Sequence, residues 1–128
     1  MNLVAIALVT KVLGACGDPC IVTDSLGGDV VDFYRAGIAI SNGKAPKLVI
    51  DGYCNSACMT LAGVARPHVC ITPRAKFGYH KTNINRNLPL SIDLADWIDA
   101  HDGFPPSDQV KYLPIEVAQK FWPMCKGY

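Results

Sequence analysis

The chain has 128 residues, half of them hydrophobic, and a formal net charge of +1. That length and composition suit one domain with a packed core and argue against intrinsic disorder. Because the 12 basic and 11 acidic residues form no basic run, nucleic-acid binding has no electrostatic support, and we expect no nucleic-acid partner. We predict a single domain over residues 1–128, with a core at 3–80 and a helical tail at 91–128.

The first segment, residues 3–15, is almost entirely apolar and repeats at the spacing of one helical face. It predicts a buried helix that ends at the breaker Asp18-Pro19. A signal segment is the alternative, because Leu13–Cys16 looks like a lipoprotein cleavage site. The basic residues that open a signal peptide are missing, however, and Lys11 interrupts the apolar run. The run is also short for a membrane span.

A short apolar run at residues 20–23 predicts a buried strand that leads into Gly27-Gly28. The next helix is predicted over about residues 29–41, because its apolar residues recur at i, i+3, i+4 and i+7. A double glycine between a strand and a helix lets backbone N–H groups come close to a ligand. Gly27 and Gly28 are therefore candidate binding residues, with a plain tight turn as the alternative.

A second buried strand is predicted at Leu48–Ile50, followed by a turn at residues 51–52. Ser56 comes next among small residues, and the helix predicted after it also carries mostly small side chains, which would let it pack closely. Two further strands are predicted at residues 68–71 and 76–80, and the second of them ends on a histidine. The chain thus presents a serine and then a histidine at the edges of regular elements.

Strands and helices alternate with short connections through the core region, which is typical of βα units around a mostly parallel sheet. The sequence therefore predicts an α/β fold. Ligands of such sheets bind beyond the carboxyl ends of the strands. Gly27-Gly28 and Ser56 each lie just past a predicted strand end, and His80 closes another strand.

The tail begins with a polar, Asn-rich stretch at residues 81–89, which predicts an exposed loop. Ser91 is a good N-cap for a helix predicted at about residues 92–101. Asp93, near the start of that helix, suits the helix dipole. A last helix is predicted at about residues 114–121.

Six cysteines lie at positions 16, 20, 54, 58, 70 and 125. Two pairs with three intervening residues could suggest zinc, but the second pair brackets Ser56 and no histidine pair has matching spacing. We favour buried thiols, or one or two disulfides in an exported protein, and expect no metal and no other cofactor. The sequence leaves the connectivity open. The cysteines favour a periplasmic or secreted protein over a cytoplasmic one.

Ser56 and His80 are candidates for nucleophilic catalysis. A serine hydroxyl is a poor nucleophile unless a base takes its proton, and a histidine supplies that base near neutral pH. The tetrahedral intermediate then needs N–H donors, which the amides of Gly27, Gly28 and Ala57 would supply. Chance also produces one serine and one histidine in this arrangement, so the order and context of the surrounding motifs matter.

Three segments resemble, in order, the motifs of one protein superfamily. Asp24–Val30 resembles its Ser-Pro-Gly-Gly turn, with Leu26 in place of the proline. Gly52–Cys58 resembles the segment that holds the nucleophile, and Pro73–His80 resembles the strand that delivers the catalytic histidine. The chain thus resembles the Clp-protease proteolytic-subunit and crotonase-like superfamily, and more narrowly the small, often exported, Clp-protease-like proteins of bacteria.

The resemblance implies a crotonase/Clp-protease-like α/β fold of ββα units. It implies a serine hydrolase, in particular a peptidase that acts on a peptide or protein substrate. Ser56 would be the nucleophile and His80 the base, and Gly27, Gly28 and Ala57 would form part of the oxyanion site. Family members often assemble into rings or trimers, so we also expect a homo-oligomer that covers the first apolar helix.

Two departures from the family pattern leave alternatives open. The family usually has a strand before the helix at residues 3–15, so we expect a sheet without that first strand, or a truncated chain. The acid of a catalytic triad is not apparent, because the place expected to hold it contains Met124 and Cys125. Asp93 and Asp96 are more typical of a solvated helical face.

The missing acid allows three readings of the function. One is a Ser-His dyad in which a backbone carbonyl or an amide side chain orients His80. Another is a catalytically inactive binding or assembly module that keeps the oxyanion turn. Crotonase-type acyl-thioester chemistry is less favoured, because no carboxylate is evident beside Ser56.

Overall fold

Five strands form one open, mostly parallel sheet in the computed structural model, which describes residues 1–128. The strands are β1 (Cys20–Ser25), β2 (Leu48–Asn55), β3 (Val69–Ile71), β4 (Lys76–Tyr79) and β5 (Lys111–Tyr112). β2 pairs in parallel with β1 on one side, and with β3 and then β4 on the other. β5 adds to β4 in the antiparallel direction. The mixed α/β class and the mostly parallel sheet predicted from the sequence are confirmed.

Five helices accompany the sheet, and a short 3₁₀ turn lies at Arg66–His68. They are α1 (Leu3–Leu13), α2 (Val30–Ser41), α3 (Ala57–Val64), α4 (Ile92–Asp99) and α5 (Ile115–Ala118). α2 packs between α1 and α3. No helix combines the length and the apolarity that crossing a membrane requires.

Side-chain caps fix the starts of the two long N-terminal helices. The Asn2 side chain accepts a hydrogen bond of 2.8 Å from the Ala5 amide, and the Asp29 side chain accepts one of 3.0 Å from the Asp32 amide. Each cap satisfies an amide that has no acceptor inside the helix. The cap at Asp29 sets where α2 begins, directly after the glycine pair.

The core lies around β2, whose first three residues, Leu48–Ile50, are all buried. The tail closes this core through Trp122, whose ring stacks on Phe77 with a centroid distance of 4.2 Å. The indole N–H of Trp122 also donates a 2.9 Å hydrogen bond to the Ala62 carbonyl. Sheet, α3 and C-terminal segment are therefore packed as one body.

The prediction of a turn at residues 51–52 is wrong, because β2 continues through these positions to Asn55. The pairing register between β1 and β2 shifts between Val22 and Asp24, opposite this point. A Cβ at Gly52 would lie 2.2 Å from the Thr23 carbonyl oxygen. Gly52 therefore allows the backbones of β1 and β2 to come close at a bulge, and the chain does not reverse there.

Smaller differences concern the ends of the chain. α1 is a helix as predicted, but only Ala5 and Val9 on it are buried. The last helix covers only Ile115–Ala118. β5 has two residues and was not predicted, since so short a segment carries no periodic signal.

All six cysteines form disulfides, which answers the question that the sequence left open. The pairs are Cys16–Cys20, Cys54–Cys58 and Cys70–Cys125. The first two close short loops, and the third joins β3 to the end of the chain across 55 residues of sequence. Three disulfides exceed the one or two that we expected.

Candidate active site

Ser56 is the single residue between the end of β2 and the start of α3. Its backbone has φ 56° and ψ −124°, and residues other than glycine rarely adopt such a positive φ. Such a conformation costs of order 1–3 kcal/mol and persists only where the surrounding structure enforces it. The sharp turn leaves Ser56 half-buried while Asn55 and Ala57 are buried, so the hydroxyl is presented to solvent.

Main-chain and covalent bonds hold this turn. The Ser56 amide donates a 2.8 Å hydrogen bond to the Gly78 carbonyl on β4. The Cys54–Cys58 disulfide spans Ser56 and joins the end of β2 to the first turn of α3. Both cysteines are fully buried. We call residues 54–58 the nucleophile turn.

His80 follows β4 directly and is oriented by the main chain. Its Nδ1 lies 2.5 Å from the carbonyl oxygen of Lys81. Because a carbonyl oxygen can only accept a hydrogen bond, Nδ1 must carry the proton. In the neutral ring, Nε2 then has a free lone pair and can act as a base. The backbone carbonyl is one of the two orienting groups that the sequence left open.

The tail aspartates do not hydrogen-bond to the His80 ring. The Asp93 carboxylate instead accepts two hydrogen bonds, of 2.8 Å and 3.0 Å, from the Arg66 guanidinium. These bonds, with a further one involving Ser91, hold the pKa of Asp93 well below its usual range. Asp102 lies close enough to Tyr79 to raise the pKa of that phenol, although burial is the larger cause.

Gly27 packs directly against the nucleophile turn. Its φ is +90°, and a Cβ at this position would lie 2.8 Å from the Ser56 Cβ and 3.0 Å from the Ala57 nitrogen. No larger residue fits there without moving the backbone around the serine. Ala57 is the first residue of α3, so its amide has no acceptor within the helix and is a candidate oxyanion donor.

A groove of about 710 Å³ joins these parts. Ser56 and His80 both line it, between the start of α2 and the loop at residues 81–89. One wall consists of Leu26, Gly28, Asp29, Val30 and Val31, and the other of Thr82, Asn83, Ile84, Arg86, Asn87 and Pro89. The structure therefore brings Ser56, His80 and Gly28 to one cavity. Gly27 and Ala57 lie behind Ser56 rather than in the groove wall.

No hydrogen bond joins the Ser56 hydroxyl to the His80 ring, whose one protein partner is the Lys81 carbonyl. Without substrate, catalytic hydrogen bonds are often long or poorly aligned and tighten only in the complex. The two residues thus line one cavity without a hydrogen bond between them.

The sequence did not indicate two parts of this site. The wall at residues 82–87 looked like an ordinary exposed loop. Asn55 was also missed, although its buried amide contacts both β4 and β5. The only available signal for Asn55 was a polar residue at the end of a buried strand, which is too common to be informative.

Comparisons with models of protein families, with curated proteins and with solved structures found no match to this chain. The geometry of the residues described above is therefore what bears on the function of this chain.

Proposed function

We propose that this protein is a serine hydrolase of the Clp-protease-like and crotonase-like fold, in particular a peptidase. Ser56 is the nucleophile, His80 the base, and Gly27, Gly28 and Ala57 surround the oxyanion. One observation carries the proposal. Ser56 is held in a strained conformation between a strand and a helix, and it shares a groove with a histidine whose Nε2 is free.

The proposed acylation moves one proton. Nε2 of His80 takes the hydroxyl proton as the Ser56 oxygen attacks the substrate carbonyl carbon, and Nε2 then delivers that proton to the departing amine. The N–H groups near Ser56 stabilise the negative oxygen, an effect worth about 10²–10³ in rate for one donor. Water, activated by the same nitrogen, then hydrolyses the acyl-enzyme.

The third member of the site is a dipole rather than a charge. The Lys81 carbonyl holds the proton on Nδ1 and faces the imidazolium as it forms. A carboxylate would stabilise that cation more, and losing its contribution in a triad costs about 10⁴ in rate. We therefore propose a Ser-His dyad with modest turnover.

We propose a peptide or protein substrate, because the groove of about 710 Å³ is lined on both sides. We also propose a homo-oligomer that covers α1, on which Leu3 and Val4 are 85% and 74% exposed. Three disulfides favour an oxidising compartment, such as the periplasm or the cell exterior.

A fluorophosphonate probe with mass mapping tests the proposal. We expect labelling on Ser56, complete loss in Ser56→Ala and a strong decrease in His80→Ala. Ser107→Ala and His101→Ala are matched controls, because both residues are exposed and lie outside the groove. Folded protein that stays unlabelled from mildly acidic to mildly basic pH would overturn the proposal.

A second candidate is a non-catalytic module that binds peptides in the same groove. The missing hydrogen bond between Ser56 and His80 favours it. In that case peptide binding would persist in Ser56→Ala, and no probe labelling would occur in the parent protein.

A further inference from the structure

Asn55 is one of the few polar side chains in the core. It is 6% exposed and ends β2, next to Ser56. A buried amide is costly unless its groups are hydrogen-bonded. Its Oδ1 accepts a 3.1 Å bond from the Gly78 amide, and its Nδ2 donates a 3.2 Å bond to the Tyr112 hydroxyl.

Both main-chain polar groups of Gly78 are bound by the nucleophile turn. The Gly78 carbonyl accepts from the Ser56 amide at 2.8 Å, and the Gly78 amide donates to the Asn55 side chain. Asn55 and Gly78 also form the last register pair between β2 and β4. Asn55 and Ser56 therefore bind both main-chain groups of Gly78, which lies two positions before His80.

These two hydrogen bonds require a glycine at position 78. A Cβ at Gly78 would lie 2.6 Å from the Asn55 Oδ1 and 2.8 Å from a methyl carbon of Val110. The orientation of the amide is also determined, since a backbone N–H can face only the oxygen end. Tyr112 on β5 then takes the nitrogen end, and its ring lies edge-on to Tyr53 at 6.1 Å.

We propose that Asn55 is a positioning residue, which sets the separation of Ser56 and His80 by holding Gly78. Tyr112 acts through it by holding the amide in place. The inference rests on the proposed hydrolase function. Asn55 does not line the groove, so its substitution should affect the chemical step and leave substrate binding nearly unchanged.

The test measures probe labelling of Ser56 as a function of probe concentration. We expect Asn55→Ala to lower the maximal labelling rate about 10- to 100-fold, because small displacements of reacting groups have effects of this size. The half-saturating probe concentration should stay within about two-fold of the parent value, as for a residue that acts only on the chemical step. Asn55→Asp should restore most of the rate, since its carboxylate accepts from Gly78 and from the Tyr112 hydroxyl.

Two further variants make the result decisive. Thr72→Val is the matched control, because it removes a buried side-chain hydrogen bond to Asp51, and neither of these residues lines the groove. This variant should label at the parent rate. Tyr112→Phe removes one hydroxyl at an exposed ring and should lower the maximal rate several-fold, even if Asn55→Ala does not fold.

The outcomes separate the two proposals. Parent protein that labels, together with Asn55→Ala and Tyr112→Phe that label at the parent rate when folded, would overturn the positioning role alone. An Asn55→Ala variant that fails to fold, with Tyr112→Phe at the parent rate, would also overturn it. Folded parent protein without any labelling would overturn the proposed hydrolase, and the positioning role with it.

Discussion

The two sides of the groove are built in different ways. The nucleophile turn is held by a disulfide, by a 2.8 Å main-chain bond to β4 and by the buried Asn55 amide. In the opposite wall, residues 83–87 are exposed and belong to a local turn in which the Thr82 amide donates to the Arg86 carbonyl at 2.7 Å. Only the ends of this loop are tied to the rest of the protein, through main-chain bonds of Lys81 and Pro89 and the buried Leu88. Under the proposed function, the chemistry would lie on the more extensively bonded side of the groove and part of the substrate contact on the more exposed side.

Substitution at Gly27 should have the largest effect. Gly27→Ala places a methyl group against the Ser56 Cβ and the backbone of Asn55 and Ala57, so we expect Ser56 labelling to fall about 100-fold or more. Gly43→Ala is the matched control, because Gly43 also has a positive φ, +72°, but no atom lies within 4 Å of its Cβ position. It should lose about 1 kcal/mol of stability and keep its labelling rate. Equal labelling losses in both variants would contradict the role of the close contact.

Removing the Cys54–Cys58 disulfide should lower activity more than removing Cys70–Cys125, although it should cost less stability. Removing Cys54–Cys58 opens a short loop and should cost about 2 kcal/mol, whereas removing Cys70–Cys125 opens a long one and should cost about 4 kcal/mol. We nevertheless expect labelling of folded protein to fall about ten-fold only when the first pair is replaced by alanine. Urea denaturation and probe kinetics on both double variants measure this. A larger labelling loss for Cys70→Ala/Cys125→Ala would reverse the comparison.

Substitution in the exposed wall should affect substrate binding more than the maximal rate. Arg86→Gln changes the one arginine that lines the groove, which contains no lysine. We expect the concentration of a peptide substrate at half-maximal rate to shift about two- to five-fold, with a maximal rate close to that of the parent protein. Arg35→Gln, an exposed arginine on α2 outside this groove, is the control. A large fall in maximal rate for Arg86→Gln would show that this wall takes part in the chemical step.

Acid should weaken the ion pair between Arg66 and Asp93, beside the loop at residues 81–89. Arg66 binds Ser91 and Asp93, which follow the loop in sequence. Because the pKa of Asp93 is lowered in the folded protein, its contribution is fully present above the unfolded pKa of about 3.9. That contribution is lost as the pH falls toward the folded pKa.

The pair is exposed, so its contribution should be under about 1 kcal/mol. The free energy of unfolding of Asp93→Asn should therefore differ from that of the parent protein at pH 7 and converge with it in acid. A difference that is constant with pH would contradict this assignment.

Much of the fold was readable from the sequence because its signals are local. The buried run Leu48–Ile50 and the apolar stripe of α2 each predict an element from its own residues. The continuation of β2 was not readable, because Asp51-Gly52 has turn composition and its true role depends on Thr23 in another strand. The two-residue strand β5 has no pattern of its own.

In the site too, local signals were readable from the sequence and contacts between distant segments were not. Ser56, His80 and the glycine pair stand out because their residue types are informative at strand ends. The hydrogen bond between Asn55 and Gly78 depends on the pairing of β2 with β4, which are distant in sequence. An asparagine at a strand end does not predict that bond. The groove wall depends on how the loop folds back, which composition does not encode.

The Lys81 carbonyl that orients His80 has a practical consequence for genetics. Every residue has a carbonyl, so no exchange of side chains removes this partner, and an alanine scan would not detect it however complete the scan was. The third participant belongs to the main chain, and its contribution would be measured by chemical synthesis, with an ester or a thioamide in place of the peptide bond that follows Lys81.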